Sequence, residues 1–389
     1  MKPMGAQLLF VTSIPSPYQF DFFNALEVLA PGSFSVIFSA AQEIDRQYYD
    51  VPEEFSFRAM ILSRKTRRFG KDFHRSAGLK AALRESSAES VIVGGNYFMP
   101  DARTARSHCL RRGKQFFFWG ENPFKRQEMG PKRWVKERYL KWFFGPASGV
   151  IGIGEVASKE YERLCKRARG VSIPYSPDLN SLLSPSAELR VAAEELRVAR
   201  GCKPTVSILY VGSLIPRKDP ITLLKSFEFL ATKYPEVQLQ IVGEGQLQSE
   251  LKARVSENGL AERVMFLGFL RDDELRAAYL AADLFVLPTV GHEGWGVVIQ
   301  EAMAAGLPVI ASSRVGAAED LLKSGHGGRL FDPGSVESLI GLLTELIEND
   351  ELRTELGRRA RERVRSTSAE SAARKLLKFL GSVPGNEAI

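Results

Sequence analysis

The 389-residue sequence contains no run of about 18 apolar residues, so no segment of it reads as a transmembrane helix. Its first apolar run, Leu8-Leu9-Phe10-Val11, stops short of Pro15 and reads as a strand, not as the core of a signal peptide. Cysteine is scarce. Cys109, Cys165 and Cys202 are odd in number, widely separated and never in Cys-x-x-Cys spacing, which speaks against a disulfide framework or structural zinc and for a reducing cytoplasm. Histidine is nearly as scarce. His74, His108, His292 and His326 form no His-Glu-x-x-His or similar cluster, so no protein-held catalytic metal is expected.

What is present is ordinary globular usage. Hydrophobic residues make up 44% and charged residues 25%, which excludes disorder and low-complexity structure for the chain as a whole. At roughly 100–200 residues per domain, the length points to two domains. Lys and Arg number 53 against 46 Asp and Glu, a net charge of +7. That balance suits an anionic partner: a nucleotide, a phospholipid surface or nucleic acid.

Two regions alternate strand-like and helix-like segments. In the first, short apolar runs at Leu8–Val11, Ser35–Phe38, Val91–Gly94, Phe116–Trp119 and Val150–Ile153 read as buried parallel strands, with helices such as Phe20–Leu29 and Lys132–Phe144 between them. In the second, strands are expected at Val206–Val211, Gln238–Val242, Val264–Phe266, Leu284–Leu287, Pro308–Ala311 and Gly328–Phe331. This pattern predicts α/β architecture, with two doubly wound parallel sheets and ligands at the carboxyl ends of the strands. The expected division is 1–175 and 205–365 for the domains, 176–204 for a Pro-containing connection with a polar helix around Ala187–Ala199, and 366–389 for a C-terminal segment with an amphipathic helix at Ala369–Leu380.

Three segments of the second domain carry candidate chemistry. Gly212-Ser213-Leu214-Ile215-Pro216-Arg217-Lys218-Asp219-Pro220 follows a strand and opens a helix, with Asp219 as N-cap and Pro220 as first helical residue. A helix start with two cations beside it suits a diphosphate; the competing reading is two solvated charges on a turn. Gly243-Glu244-Gly245 after the next strand permits close approach of a ligand, or serves only as a strand-to-helix turn. The third, Gly291-His292-Glu293-Gly294-Trp295-Gly296-Val297, leads into a helix containing Glu301. A carboxylate such as Glu301 suits the vicinal hydroxyls of a ribose, and Glu293 is placed to meet a sugar hydroxyl. For Glu301 the alternative is a helix-surface glutamate. His292 reads either as a loop residue or as a catalytic one.

In order along the chain, Gly212…Arg217-Lys218, Gly243-Glu244-Gly245, Phe266-Leu267-Gly268, the Ala282–Pro288 strand, the Glu293…Glu301 pair and Glu301–Ala311 resemble a GT-B-fold retaining glycosyltransferase of family 4. The resemblance is specific across about residues 205–350. In the first region, Ile14-Pro15-Ser16-Pro17-Tyr18 and Trp119-Gly120-Glu121-Asn122 resemble bacterial polysaccharide-type members. It implies two Rossmann-like domains facing a cleft, a last helix, Ala369–Leu380, that crosses back onto the first domain, and a hexosyltransferase that moves a sugar from a GDP- or UDP-sugar to a glycan or lipid-linked acceptor. It implies that Arg217 and Lys218 hold the donor diphosphate, that Glu301 binds the ribose, and that Glu293 contacts the transferred sugar. Gly212, Gly243 and the Gly294, Trp295, Gly296 and Val297 amides would lie nearby, with the backbone at Phe269-Leu270 facing the base. It also implies no cofactor and no metal; the absence of any Asp-x-Asp agrees. The first region departs from the family pattern: Ser13–Tyr18 lacks a glycine pair, and Glu121-Asn122 stands where many members carry a histidine. Ser16, Tyr18, Glu121 and Asn122 are the acceptor-side candidates, with Glu121 read either as orienting a hydroxyl or as capping the next turn. A nucleotide-sugar-binding protein without catalysis, and another GT-B enzyme such as a nucleotide-sugar epimerase, stand as alternatives.

The first domain is strongly basic at Arg64–Arg75 and at Lys132–Phe144, where cations alternate with aromatics at near-helical spacing. Three readings compete for the latter: a helix packing its aromatics inward, a helix lying on an anionic membrane surface, and a nucleic-acid site. The last lacks any helix-turn-helix, RNP or zinc pattern, so no nucleic-acid partner is expected. A lipid-linked acceptor favours a cytoplasmic protein, peripheral on the cytoplasmic face of the inner membrane.

Overall fold

The computed structural model describes residues 7–41, 54–62, 76–124, 130–165, 168–198, 206–323, 325 and 327–383. The Arg64–Arg75 cluster, with His74, Cys202 and His326, lies outside them. The chain forms two units, Met1–Pro177 with Ala369–Ile389, and Asp178–Ser368.

The first unit runs β1 (Leu8–Thr12), α1 (Pro17–Leu29), β2 (Phe34–Phe38), β3 (Ala59–Ile61), α2 (Leu79–Glu85), β4 (Ser90–Gly94) and α3 (Pro100–Arg112). It continues through β5 (Gln115–Gly120), α4 (Pro131–Phe144), β6 (Gly149–Gly152), α5 (Glu155–Cys165) and β7 (Arg169–Ser172). Its described strands form one parallel sheet in the order β3-β2-β1-β4-β5-β6-β7. Both faces are filled by aromatics, because a parallel sheet covered by helices must be apolar on each side. On one face Phe10 packs edge-on against Phe22, Phe23 and Phe34. On the other, Phe118 meets Phe143, Phe144 and Tyr161. Burial pushes the free thiols of Cys109 and Cys165 up to about 12, so they behave as small apolar side chains.

The second unit begins with α6 (Asn180–Leu183) and α7 (Ala187–Val198), in the stretch expected as a connection. α7 is not a free linker. It lays Leu189 and Ala193, one turn apart, against Ala277 and Ala281, and an amphipathic helix is stable only where such a stripe is covered. Next come β8 (Val206–Val211), α8 (Pro220–Lys233), β9 (Val237–Val242), α9 (Gln248–Glu257), β10 (Val264–Gly268), α10 (Asp272–Leu280) and β11 (Leu284–Leu287). Then follow α11 (Val298–Ala304), β12 (Val309–Ser312), α12 (Gly316–Leu321), β13 (Gly328–Phe331), α13 (Val336–Glu348) and α14 (Asp350–Val364). The described strands form a second parallel sheet in the order β10-β9-β8-β11-β12-β13. The winding reverses between β8 and β11, which makes the carboxyl ends of those two strands the natural place for a ligand. The chain then returns to the first unit as α15 (Ala369–Gly381), which packs along α1 and sets Phe379 edge-on to Phe117. Among the described residues, no helix is long and apolar enough to cross a membrane.

Candidate functional site

The loops after β8 and β11 flank the reversal of the second sheet, and both carry candidate residues. After β8 the chain makes a short 3-10 turn, Pro216–Lys218, before α8 begins. Asp219 caps α8, its side chain accepting from the Thr222 amide at 3.3 Å, with Pro220 in the first turn. Sequence reasoning placed that cap but not the 3-10 turn before it. The turn aims Arg217 and Lys218 at the loop after β11.

Glu293 receives both. Arg217 Nη1 lies 2.5 Å and Lys218 Nζ 2.6 Å from the same carboxylate oxygen, Oε2. The Lys218 side chain is only 12% exposed and that of Glu293 16%. Arg217 Nη1 also donates to the His292 carbonyl at 3.2 Å, while the Arg217 carbonyl accepts from the Val290 and Gly291 amides at 3.1 Å each. The two loops are thus tied by backbone and side chain alike. Gly291 makes this possible sterically: a Cβ there would stand 2.2 Å from Arg217 Cγ. Burial pushes the Glu293 carboxyl up, and the Lys218 and Arg217 charges with their hydrogen bonds outweigh it, holding the group below the usual carboxylate range. Beneath the loop, the Tyr210 hydroxyl donates to the Ser213 carbonyl at 3.0 Å. Burial, reinforced by the Glu293 charge, pushes that phenol far up.

The loops after β8 and β9 meet backbone to backbone. Leu214 N donates to the Glu244 carbonyl at 2.8 Å, and Gly212 N to Val242 at 3.0 Å. Gly243, at φ +124°, is required there, since a Cβ would lie 2.1 Å from the Gly212 oxygen. Leu270, after β10, is half-buried, and Phe269 beside it is exposed under the Arg271 guanidinium at 5.3 Å.

Glu301 sits in the first turn of α11, half-buried. Its Oε2 accepts from the Tyr279 hydroxyl at 2.8 Å. Tyr279 is fully buried on α10, and burial together with the Glu301 charge pushes its phenol far up, so it stays a donor. Sequence reasoning missed Tyr279, whose place in an apolar helix pattern marks it only as core. Gly294 to Val297 lie beside these residues. The Glu293 carbonyl accepts from Gly316 N at 3.1 Å and the Trp295 carbonyl from Ala317 N at 2.8 Å, fixing the loop against α12. The Trp295 side chain turns inward: its indole donates to Gln300 Oε1 at 2.7 Å, and Gln300 Nε2 donates to Thr367 at 2.9 Å. Trp295 therefore has only its backbone to offer a ligand. His292 is exposed.

In the first unit the acceptor-side candidates divide. Tyr18 lies over Tyr175 with ring centres 4.3 Å apart, and the Tyr175 hydroxyl donates to Glu121 Oε1 at 3.2 Å. Those three form one group. Asn122 Oδ1 instead accepts from Phe124 N at 2.9 Å, so Asn122 supports the following turn. Ser16 precedes α1 without capping it through its side chain, and its buried hydroxyl finds no hydrogen-bond partner among the described residues. Tyr175 was missed because its Pro-flanked segment reads as a connection.

Residues 195–363 match the family model described as glycosyl transferases group 1. The phosphatidyl-myo-inositol mannosyltransferase of Mycobacterium leprae is 37% identical over 148 residues, covering 38% of each chain. The D-inositol 3-phosphate glycosyltransferase of Corynebacterium glutamicum is 31% identical over 225 residues, covering 54% of this chain and 53% of that one. The chain thus spans about half or less of the length of the curated relatives it matches. Among solved structures, Anabaena Alr3699/HepE in complex with UDP superposes with a TM-score of 0.74 at 18% identity, covering 97% of this chain and 100% of that one. That likeness identifies the fold as GT-B.

Proposed function

We propose that the protein, whose residues 195–363 match the family model of glycosyl transferases group 1, is a retaining glycosyltransferase of family 4, transferring a sugar from a GDP- or UDP-sugar. The observation that supports it most is the meeting of Arg217 and Lys218 on one oxygen of Glu293 at the reversal of the second sheet. In that arrangement two cations face a single carboxylate, leaving positive charge for a diphosphate. Arg217 and Lys218 bind the donor diphosphate and stabilise the charge that develops as the bond from anomeric carbon to phosphate oxygen breaks. The pair supplies what a divalent ion supplies elsewhere, so the reaction runs without one. Glu301, oriented by Tyr279, accepts from the ribose hydroxyls. Glu293 turns from the cations to a hydroxyl of the transferred sugar, near the Gly294–Val297 amides. The acceptor hydroxyl attacks on the leaving-group face and gives its proton to a diphosphate oxygen, with retention of configuration.

The acceptor is a glycan or lipid-linked molecule of cell-surface polysaccharide or glycoconjugate synthesis, bound on the first unit near Tyr18, Tyr175 and Glu121, at the cytoplasmic face of the inner membrane. The relatives support this by name: one acts on phosphatidyl-myo-inositol. A thermal-shift panel of UDP, GDP, ADP and NAD on wild type and Glu301→Ala tests the donor reading. One diphosphate is expected to stabilise the wild type by about 2.7 kcal/mol at a hundredfold excess over Kd, and the variant is expected to lose that stabilisation. Lys218→Ala is expected to lower turnover at least about a hundredfold with the fold kept; near-normal turnover in it would sink the assignment.

A further inference from the structure

We propose that the outward face of α4 docks the protein on an anionic phospholipid surface. This rests on the lipid-linked acceptor of the proposed function and names the surface by which the protein reaches it. Of the four tryptophans, Trp119 and Trp295 are buried with their indole N–H groups satisfied, by the Ile173 carbonyl and by Gln300. Trp134 and Trp142 are instead 63% and 54% exposed. They lie eight residues apart on one helix face, about 12 Å along the axis, with Arg138 midway. The Arg138 guanidinium sits 5.3 Å from the Trp134 ring centre. Val135, Lys132 and Lys141 are exposed on the same helix. Phe98, also exposed, stacks on Tyr139 at 5.2 Å, and Tyr139 lies 5.6 Å from Trp142, so the aromatic surface continues off the helix.

The inner face of α4 already supplies the core with Leu140, Phe143 and Phe144. Packing therefore does not account for the outer tryptophans. Trp142 is held in place all the same: Arg106 stacks 4.2 Å over it and donates to the Trp142 and Phe143 carbonyls at 2.8 and 2.9 Å. The acid of the helix, Glu137, is turned to Arg163 and Lys141 at 2.9 and 2.8 Å, which leaves the outward face cationic. Indoles standing off a convex helix, with lysine and arginine between and beside them, match a headgroup layer. The rings settle at its apolar boundary and the cations meet phosphate.

The full chain would be floated with vesicles of phosphatidylcholine alone and of phosphatidylcholine mixed with phosphatidylglycerol, at low and high salt. The wild type is expected to rise with the anionic vesicles at low salt and to shift its tryptophan emission to the blue. Trp134→Ala with Trp142→Ala is expected to bind about tenfold or more weakly, and Arg138→Ala about fivefold, each with a cooperative melting transition retained. Absence of wild-type flotation, equal flotation of the double variant, or binding to RNA in place of vesicles would overturn the docking. A UDP or GDP thermal shift on the same samples keeps the two ideas apart: flotation without any nucleotide shift upholds the surface and removes the donor reading, and a shift without flotation does the reverse.

Discussion

Because Arg217 and Lys218 bond one oxygen of Glu293, its protonation is costly to the folded state. Its folded pKa lies below the ordinary value of about 4.3. Such a group adds stability that is fully present above the unfolded pKa and is lost as pH falls through the folded one. Wild-type denaturant midpoints are therefore expected to drop on acidification below about pH 4, relative to Glu293→Gln, until the two converge; parallel curves would remove the ion triad as a source of stability. Tyr279→Phe deletes the hydroxyl that holds Glu301. A hydrogen bond to a charged group is worth about 1.5–3 kcal/mol, so the matching nucleoside diphosphate is expected to bind about tenfold more weakly. Preference for it over its 2′-deoxy form is expected to shrink as well, as titration calorimetry would read. Arg217, Lys218 and Glu293 were legible in the sequence because each follows a strand in a loop that opens a helix, and Glu301 because it lies on the second of those helices. Tyr279 was not, because a buried phenol that donates inward and one that merely fills space look alike in a row of apolar residues.

At the scale of elements, strands such as Val206–Val211 and Leu284–Leu287 were legible because central parallel strands are buried on both faces and read as continuous apolar runs. The edge strand Ala59–Ile61 is three residues long and half-exposed, and Arg169–Ser172 opens with an arginine and a glycine, so neither gives that signal. α7 was read as a polar connecting helix because its apolar stripe is short: Leu189 and Ala193, with the partly buried Ala192 and Leu196, dock it on α10. Leu189→Ala is expected to destabilise the second unit by about 2–4 kcal/mol, lowering the urea midpoint of its transition. An unchanged midpoint would return the helix to the status of a linker.

At the scale of the whole molecule, the chain leaves the first unit after Pro177 and re-enters it at Ala369. Ending the chain at Ser368 therefore takes α15 from the first unit and nothing from the second. Such a protein is expected to bind hydrophobic dye through the uncovered α1 and the Phe117 face while the melting transition of the second unit persists; a fully cooperative loss of both would contradict the division. Contact between α1 and α15 spans nearly the full length of the sequence, which makes it a late event in the life of the polypeptide. On the ribosome, residues 178–368 are all made before the helix that seals the first-made residues. The aromatic layer beneath α1 thus waits, uncovered on one side, until α15 has been made.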